Sequence, residues 1–245
     1  MPLTTERLRA LEREGFAVGG RLLDDAQLAR LKREFDAMIA GLPSGQRSEN
    51  MPSVHYDNAY LLELFLSDPL VDVAEQILGP DVALFVTYAI SKRARDGLEV
   101  RWHQDAAYWP ITPMSTFTLW LAVDDSDSEN GCMRVIPGSH SDRVVHDHDI
   151  DAAGQTTLPL SLEGIDGQGA VDVEVKTGAF SVHDPFVLHC SSPNRSTRRR
   201  CGITIKYIAT DVSLDRDYVS PSGFDWHGAR LYHARGARGA LDYWN

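Results

Sequence analysis

Apolar residues recur at helical spacing through roughly the first 80 positions, then give way to short continuous apolar runs. Leu8, Leu11 and Phe16 mark a short opening segment. From Asp24 the series Leu28, Leu31, Phe35, Met38 and Ile39 keeps to one helical face and stops at Gly41, with Asp24 or Asp25 placed to cap its start. After a polar loop through Gly45 and Asn50, residues 59–66 read as a further helix. Ser67-Asp68-Pro69 opens another, which ends at Gly79. Beyond that point the texture is that of strands: residues 82–90, 116–123 and 203–208 are buried-strand runs, and shorter runs over 171–175 and 179–182 are separated by Lys176-Thr177-Gly178. Strands at this spacing, broken by Gly, Pro and Asp, predict an antiparallel sandwich or jelly roll, whose mouth can hold a site. Residues 141–170 read as a long polar insertion with Gly154, Gly164, Gly167 and Gly169, a loop of the kind that forms lids or surface excursions. No repeat or linker interrupts the chain, and its 245 residues fit one domain. In that domain 1–80 is mostly helical support, 81–210 the jelly-roll core and 211–245 a C-terminal cover segment.

Composition narrows the function classes. A formal net charge of −11 argues against a nucleic-acid surface, and the basic cluster of Arg195 with Arg198-Arg199-Arg200 is too short to reverse that. Such acidity keeps an enzyme soluble, or helps attract a cationic substrate. No stretch is long and apolar enough to cross a bilayer, and Met1 to Arg7 lacks the apolar run of a secretory signal, so the expected location is the cytoplasm. The three cysteines, Cys132, Cys190 and Cys201, form no metal-binding pattern, and their odd number favours free thiols. Cys190 adjoins His189, but neighbours on a strand face opposite ways, which favours a packed thiol.

The chemistry concentrates at His103-Gln104-Asp105 and, far downstream, His189. Alternate residues of an extended strand share a face, so His103 and Asp105 are placed to grip one ion, and a second strand must bring the third ligand. H-x-D…H is the ligand set of a non-haem Fe(II) site with open positions. His183 shares strand parity with His189 and is the rival third ligand. His146 and His148 form an H-x-H pair in an Asp-rich loop with scope for weak metal binding, and His140 closes a Pro-Gly-Ser-His block read as loop structure.

Three ordered blocks extend the pattern: Trp102-His103-Gln104-Asp105, Asn130-Gly131-Cys132-Met133-Arg134-Val135-Ile136-Pro137-Gly138-Ser139-His140, and His189-Cys190-Ser191-Ser192-Pro193-Asn194-Arg195-Ser196. With the opening Glu14-Gly15-Phe16-Ala17-Val18 they resemble the phytanoyl-CoA dioxygenase family of Fe(II)- and 2-oxoglutarate-dependent oxygenases, built on a double-stranded β-helix. The resemblance implies that His103, Asp105 and His189 are the metal ligands. It also implies that Arg200 pairs with the distal carboxylate of 2-oxoglutarate, as the planar fork of arginine suits. Arg198 shares strand parity with Arg200 and is its rival. Ser191 matches a hydroxyl that touches the same carboxylate, and Trp120 lies where the family packs a ring near the cosubstrate, although a core aromatic reads equally well. The family's Lys-Pro-Pro turn is replaced here by Ser91-Lys92-Arg93-Ala94, so no cosubstrate contact carries over from that strand.

Gln104 faces away in a regular strand, with a contact to substrate or cosubstrate left open; Tyr108 and Trp109 either wall the substrate pocket or cover the barrel mouth. Those aromatics suit an apolar or a cationic ligand. The family chemistry couples O2 and decarboxylation of 2-oxoglutarate, releasing succinate and CO2, to oxidation of an unactivated C–H bond. Related halogenases lack the carboxylate ligand, so Asp105 points to hydroxylation, with desaturation, epoxidation or ring closure still accessible. The expected substrate is a small molecule of specialised metabolism. A hydrolytic or isomerising metal enzyme on a jelly roll, or a non-catalytic small-molecule-binding barrel, are the competing classes. Nothing in the pattern sets an oligomeric state.

Overall fold

A computed structural model describes residues 3–150 and 157–244; the start of the chain, Gly154 with its neighbours in the polar insertion, and Asn245 lie outside them. Helices span Thr5–Glu14, Asp25–Ala40, Ala59–Phe65 and Asp68–Leu78. Asp24 caps the second of these in a reciprocal capping box with Gln27, which satisfies two orphan donors at once. The opening segment is shorter than the apolar spacing suggests. Gly15 takes φ +83°, ends the first helix in the left-handed region, and lets Phe16 begin a strand instead.

That strand, Phe16–Arg21, is one edge of a seven-stranded antiparallel sheet. From it the order runs Ala179–His183, Thr116–Ala122, Arg200–Ala209, Val82–Lys92 and Tyr232–Arg235, while Met51–Pro52 pairs separately with Val82–Lys92. A four-stranded sheet, Val171–Val173, Met133–Val135, His189–Ser191 and Val100–His103, faces it. This is the jelly roll, a double-stranded β-helix, that the strand spacing predicts.

The central strands are buried on both faces, and alternation divides their labour. Leu119 and Leu121, with Ile203, Ile205 and Tyr207, pack into the core shared with helical Leu31, Phe35, Leu61 and Phe65. Their alternates Thr118 and Trp120, with Arg200, Gly202, Thr204 and Lys206, lie on the other face, toward the four-stranded sheet. The helical layer therefore fixes the wall on which the polar side chains stand.

The C-terminal segment both pairs and covers. Tyr232–Arg235 extends the large sheet, and Trp226 stacks on Phe85 with ring centroids 5.3 Å apart. Arg216 donates to the carbonyls of Trp226, His227 and Ala229, pinning the turn that carries Ser222 to Phe224. No helix of the described residues is long and apolar enough to cross a membrane.

His55 sits in this framework among the rings of Tyr56, Phe65 and Tyr232, with Nδ1 2.8 Å from Thr87 Oγ1. Burial, helped by the nearby Arg230 charge, pulls its pKa down to about 3. Above pH of about 6.5 the imidazole is neutral folded or unfolded; below it only the unfolded chain takes up the proton, so acid removes stability. At pH 5 this one group costs about 2 kcal/mol. Wild type is therefore expected to lose that much more stability than His55→Gln between pH 7 and pH 5 in denaturant melts, and parallel curves for the two proteins would contradict it.

Candidate metal and cosubstrate site

His103 ends its strand, Gln104 stays extended, and Asp105 opens the 3-10 turn Asp105–Tyr108, which leaves the first and third residues on one side. His189 stands directly across from His103 in the neighbouring strand, with imidazole centroids 4.1 Å apart. Asp105 Oδ1 lies 3.8 Å from His103 Nε2 and 3.9 Å from His189 Nε2, and one donor atom from each residue falls within 4.8 Å of the others. Both rings are held the same way: His103 Nδ1 lies 2.9 Å from the Arg101 carbonyl and His189 Nδ1 3.0 Å from that of Val187. A carbonyl only accepts, so each Nδ1 carries the proton and each Nε2 lone pair faces Asp105. Two neutral imidazoles and a carboxylate on one side, with main-chain oxygens fixing the tautomers, fit a divalent transition metal with open positions.

The electrostatics favour the same protonation states. Burial drives the pKa values of His103 and His189 down, that of His189 well below the ordinary range. For Asp105, burial alone would raise the pKa; the Lys206 charge and the His183 hydrogen bond outweigh it and hold the carboxyl well below the usual carboxylate range. His183, the rival ligand, is brought close but to a different atom. Its Nε2 lies 3.3 Å from Asp105 Oδ2, the oxygen that also accepts from Thr118 Oγ1 at 2.6 Å. His183 and Thr118 thus orient the carboxylate, leaving Oδ1 toward His103 and His189.

The triad lines a cavity of about 210 Å³ that also receives Tyr108, Trp109, Trp120, Ser191 and Arg200. Arg200 is fully buried there. Its Nε donates to Ser126 Oγ at 3.2 Å and its guanidinium lies 4.7 Å over the Trp120 ring, yet among the described residues no carboxylate pairs with it. Burial lowers its pKa to about 10. Arg198 is settled differently: it is exposed and ion-paired with Asp127 at 2.9 Å and Glu129 at 3.0 Å. Trp120 has its indole edge against Gly202, where a Cβ would come within 2.2 Å of Cζ2, and its buried Nε1 has no hydrogen-bond partner.

Lys92 is a group that the altered Ser91-Lys92-Arg93-Ala94 turn concealed. Its buried Nζ donates to Ser191 Oγ at 2.7 Å and to the carbonyls of Ser191 and Ser192 at 3.1 and 2.6 Å. All three donors are therefore used, and the Ser191 hydroxyl, which accepts from Lys92, keeps its own proton to donate. The signal in sequence was a lone lysine at the end of an otherwise uncharged strand.

Gln104 does not reach the cavity. Its Nε2 donates to the carbonyls of Val144 and Phe186, and its Oε1 accepts from the His146 amide, so it clamps the loop beyond residue 140. A substrate contact there is replaced by a loop-holding one, because every amide group is already engaged inside the protein. His148 is spent similarly: Nε2 accepts from the Gln104 amide and Nδ1 donates to the His146 carbonyl, which leaves no metal-binding pair with His146. His140 Nε2 meets the Glu12 carbonyl at 3.1 Å and joins the first helix to the barrel. Cys132, Cys190 and Cys201 are free, and burial raises all three thiol pKa values.

Residues 11–202 match the profile of the phytanoyl-CoA dioxygenase (PhyH) family, and the chain belongs to that family. Over 171 residues it is 32% identical to a probable alpha-ketoglutarate-dependent hypophosphite dioxygenase of Stutzerimonas stutzeri, covering 68% of this chain and 58% of that protein. Over 159 residues it is 31% identical to L-proline trans-4-hydroxylase of Streptomyces griseoviridis, covering 56% of this chain and 59% of that one. The matches thus span less than two thirds of these curated relatives. Among solved structures, the non-heme monooxygenase ThoJ in its apo form superposes with a TM-score of 0.76 at 25% identity, over 96% of this chain and 86% of that chain.

Proposed function

We propose that this protein is an Fe(II)- and 2-oxoglutarate-dependent dioxygenase that hydroxylates an unactivated C–H bond of a small molecule, in specialised metabolism. The observation that carries the reading is the pairing of two features in one cavity: a His103, Asp105, His189 donor set and, beside it, a buried arginine with no anion of its own among the described residues. A hydrolytic barrel has use for the first and none for the second. A single domain with its helical support and C-terminal cover is enough to build this site, and three free thiols suit a reducing cytoplasm.

In this reading His103, Asp105 and His189 hold Fe(II), and Arg200 with Ser191 receives the distal carboxylate of 2-oxoglutarate. Together with O2, the bound metal and cosubstrate supply oxidative decarboxylation to succinate and CO2 coupled to attack on a C–H bond. The remaining work belongs to the chain. Thr118 and His183 keep one Asp105 oxygen occupied, so that the other faces the imidazoles. Lys92 fixes Ser191 so that its hydroxyl donates outward. Trp120 lies under the Arg200 guanidinium and excludes water from it. Tyr108 and Trp109 wall the space beside the triad, and Tyr108 is anchored there because its hydroxyl accepts from the Leu160 amide at 3.0 Å. Such walls hold the C–H bond in place and keep bulk water out.

An anaerobic titration of the metal-free protein with Fe(II), then 2-oxoglutarate, tests the reading. The weak visible charge-transfer band of the chelate is expected in wild type and lost in Asp105→Ala. Fe(II) bound with no band on adding 2-oxoglutarate would move the assignment to a hydrolytic or isomerising barrel.

A further inference from the structure

A buried ammonium group remains whose charge favours ionised Asp105 but whose hydrogen-bonding capacity none of these roles uses. Lys206 lies six residues beyond Arg200 on the same strand and the same cavity-facing side, and it is only 4% exposed. Its Nζ donates to Thr204 Oγ1 at 2.7 Å. Its other close surroundings are aromatic faces, the Tyr88 centroid at 4.8 Å and the Trp109 centroid at 5.7 Å. An ammonium has three donors. Lys92 has all three of its own filled, whereas Lys206 has one oxygen acceptor and no ion pair among the described residues; Asp105 acts on it only through space.

Its position separates it from the Arg200 end. Lys206 pairs across the sheet with Thr118, whose hydroxyl donates to Asp105, so it stands level with the triad. At the rise of an antiparallel strand, Arg200 begins about 20 Å away along the backbone. A five-carbon diacid with its far carboxylate at Arg200 would have its keto-acid carboxylate engaged as a metal ligand, which leaves the open donors of Lys206 to another anion. The cavity therefore carries two cationic groups, Arg200 at one end and Lys206 level with the triad, and the far carboxylate of the cosubstrate accounts for the first.

We propose that Lys206 anchors an anionic head group, a carboxylate or phosphonate, on the substrate that is oxidised, with Tyr88 and Trp109 flanking that head group; this rests on the reading that 2-oxoglutarate occupies the Arg200 end. The same ammonium repels a cation from those rings, so the aromatic walls serve the apolar body of an acid rather than a cationic ligand.

The test uses the protein loaded with Fe(II) and saturating 2-oxoglutarate under argon. Probes are isosteric pairs: benzoate against benzamide, phenylacetate against phenylacetamide, hexanoate against hexanamide, with phenylphosphonate as a further acid. Binding is read from the perturbed chelate band and from tryptophan fluorescence. In wild type an acid is expected to bind at least about 10-fold tighter than its amide. In Lys206→Met and Lys206→Gln that preference is expected to vanish while the chelate band still forms. Equal binding of acids and amides by wild type, or no acid binding with the band intact, overturns the proposal. So does an acid that displaces 2-oxoglutarate and erases the band, or an acid preference that survives in the variants. The wild-type comparison stands even where a variant does not fold. Absence of the band from wild type itself is a different failure: it removes the cosubstrate reading, and this proposal with it.

Discussion

His189→Ala is expected to abolish Fe(II) binding and turnover, whereas His183→Ala is expected to retain the ion with roughly 10- to 100-fold weaker affinity. The two imidazoles sit side by side, with centroids 4.6 Å apart, so proximity does not separate them. Hydrogen bonding does. His189 has its Nδ1 proton on a main-chain carbonyl and its Nε2 toward Asp105 Oδ1, the oxygen shared with His103. His183 has its Nε2 on Asp105 Oδ2, already the acceptor for Thr118. On the proposed assignment, losing His189 would remove a donor from the metal, whereas losing His183 would free a carboxylate to rotate. His103→Ala and Asp105→Ala should behave as His189→Ala does. Iron content after anaerobic loading decides the matter, and loss of iron in His183→Ala with retention in His189→Ala would exchange the two roles.

Arg200→Ala is the second large effect. Removing one partner of a buried charge pair costs about 2–5 kcal/mol, so the dissociation constant for 2-oxoglutarate should rise at least roughly 30-fold while iron binding persists. Arg198→Ala, which breaks only an exposed contact with Asp127 and Glu129, should leave that constant unchanged. Titration of the chelate band with 2-oxoglutarate measures both, and equal weakening by the two variants would count against the assignment of Arg200.

The pattern of these roles was unevenly legible in the sequence. The H-x-D spacing is read directly, because one extended residue between His103 and Asp105 is enough to place them on one side, and it equally turns Gln104 outward. The four helices follow from periodicity and from capping signals such as Asp24 and Gly79. Phe16 misled because apolar spacing does not reveal that Gly15 stops the helix one residue earlier. Arg198 and Arg200 share parity, and parity carries no information about where a strand begins; the strand starts at Arg200, leaving Arg198 in the bend before it. The choice between His183 and His189 rests on which oxygen of Asp105 each meets, a matter of tertiary geometry. Lys206 was visible in principle: Thr204 and Lys206 alternate with Ile203, Ile205 and Tyr207, the mark of a strand with one polar inner face. Its meaning required knowing that the polar face looks into the cavity that holds the triad.

The walls of that cavity are of two kinds. Arg200, Thr204, Lys206, Trp120, His189 and Ser191 stand on strands whose backbones are locked by neighbours on both sides. Part of the lining comes instead from loop residues, Thr157 with Leu158 and Ser222 to Phe224. Thr157 is tied to the Glu99 carbonyl through its amide and its hydroxyl, and the other turn is held by the hydroxyl and carbonyl of Ser220 and closed by Arg216. Loops outside the ladders change length and side chains more readily than the strands beneath them. The barrel is thereby divided into a fixed frame and an exchangeable collar: grafting new residues between 219 and 224 is expected to reshape the rim while His103, Asp105 and His189 stay as they are.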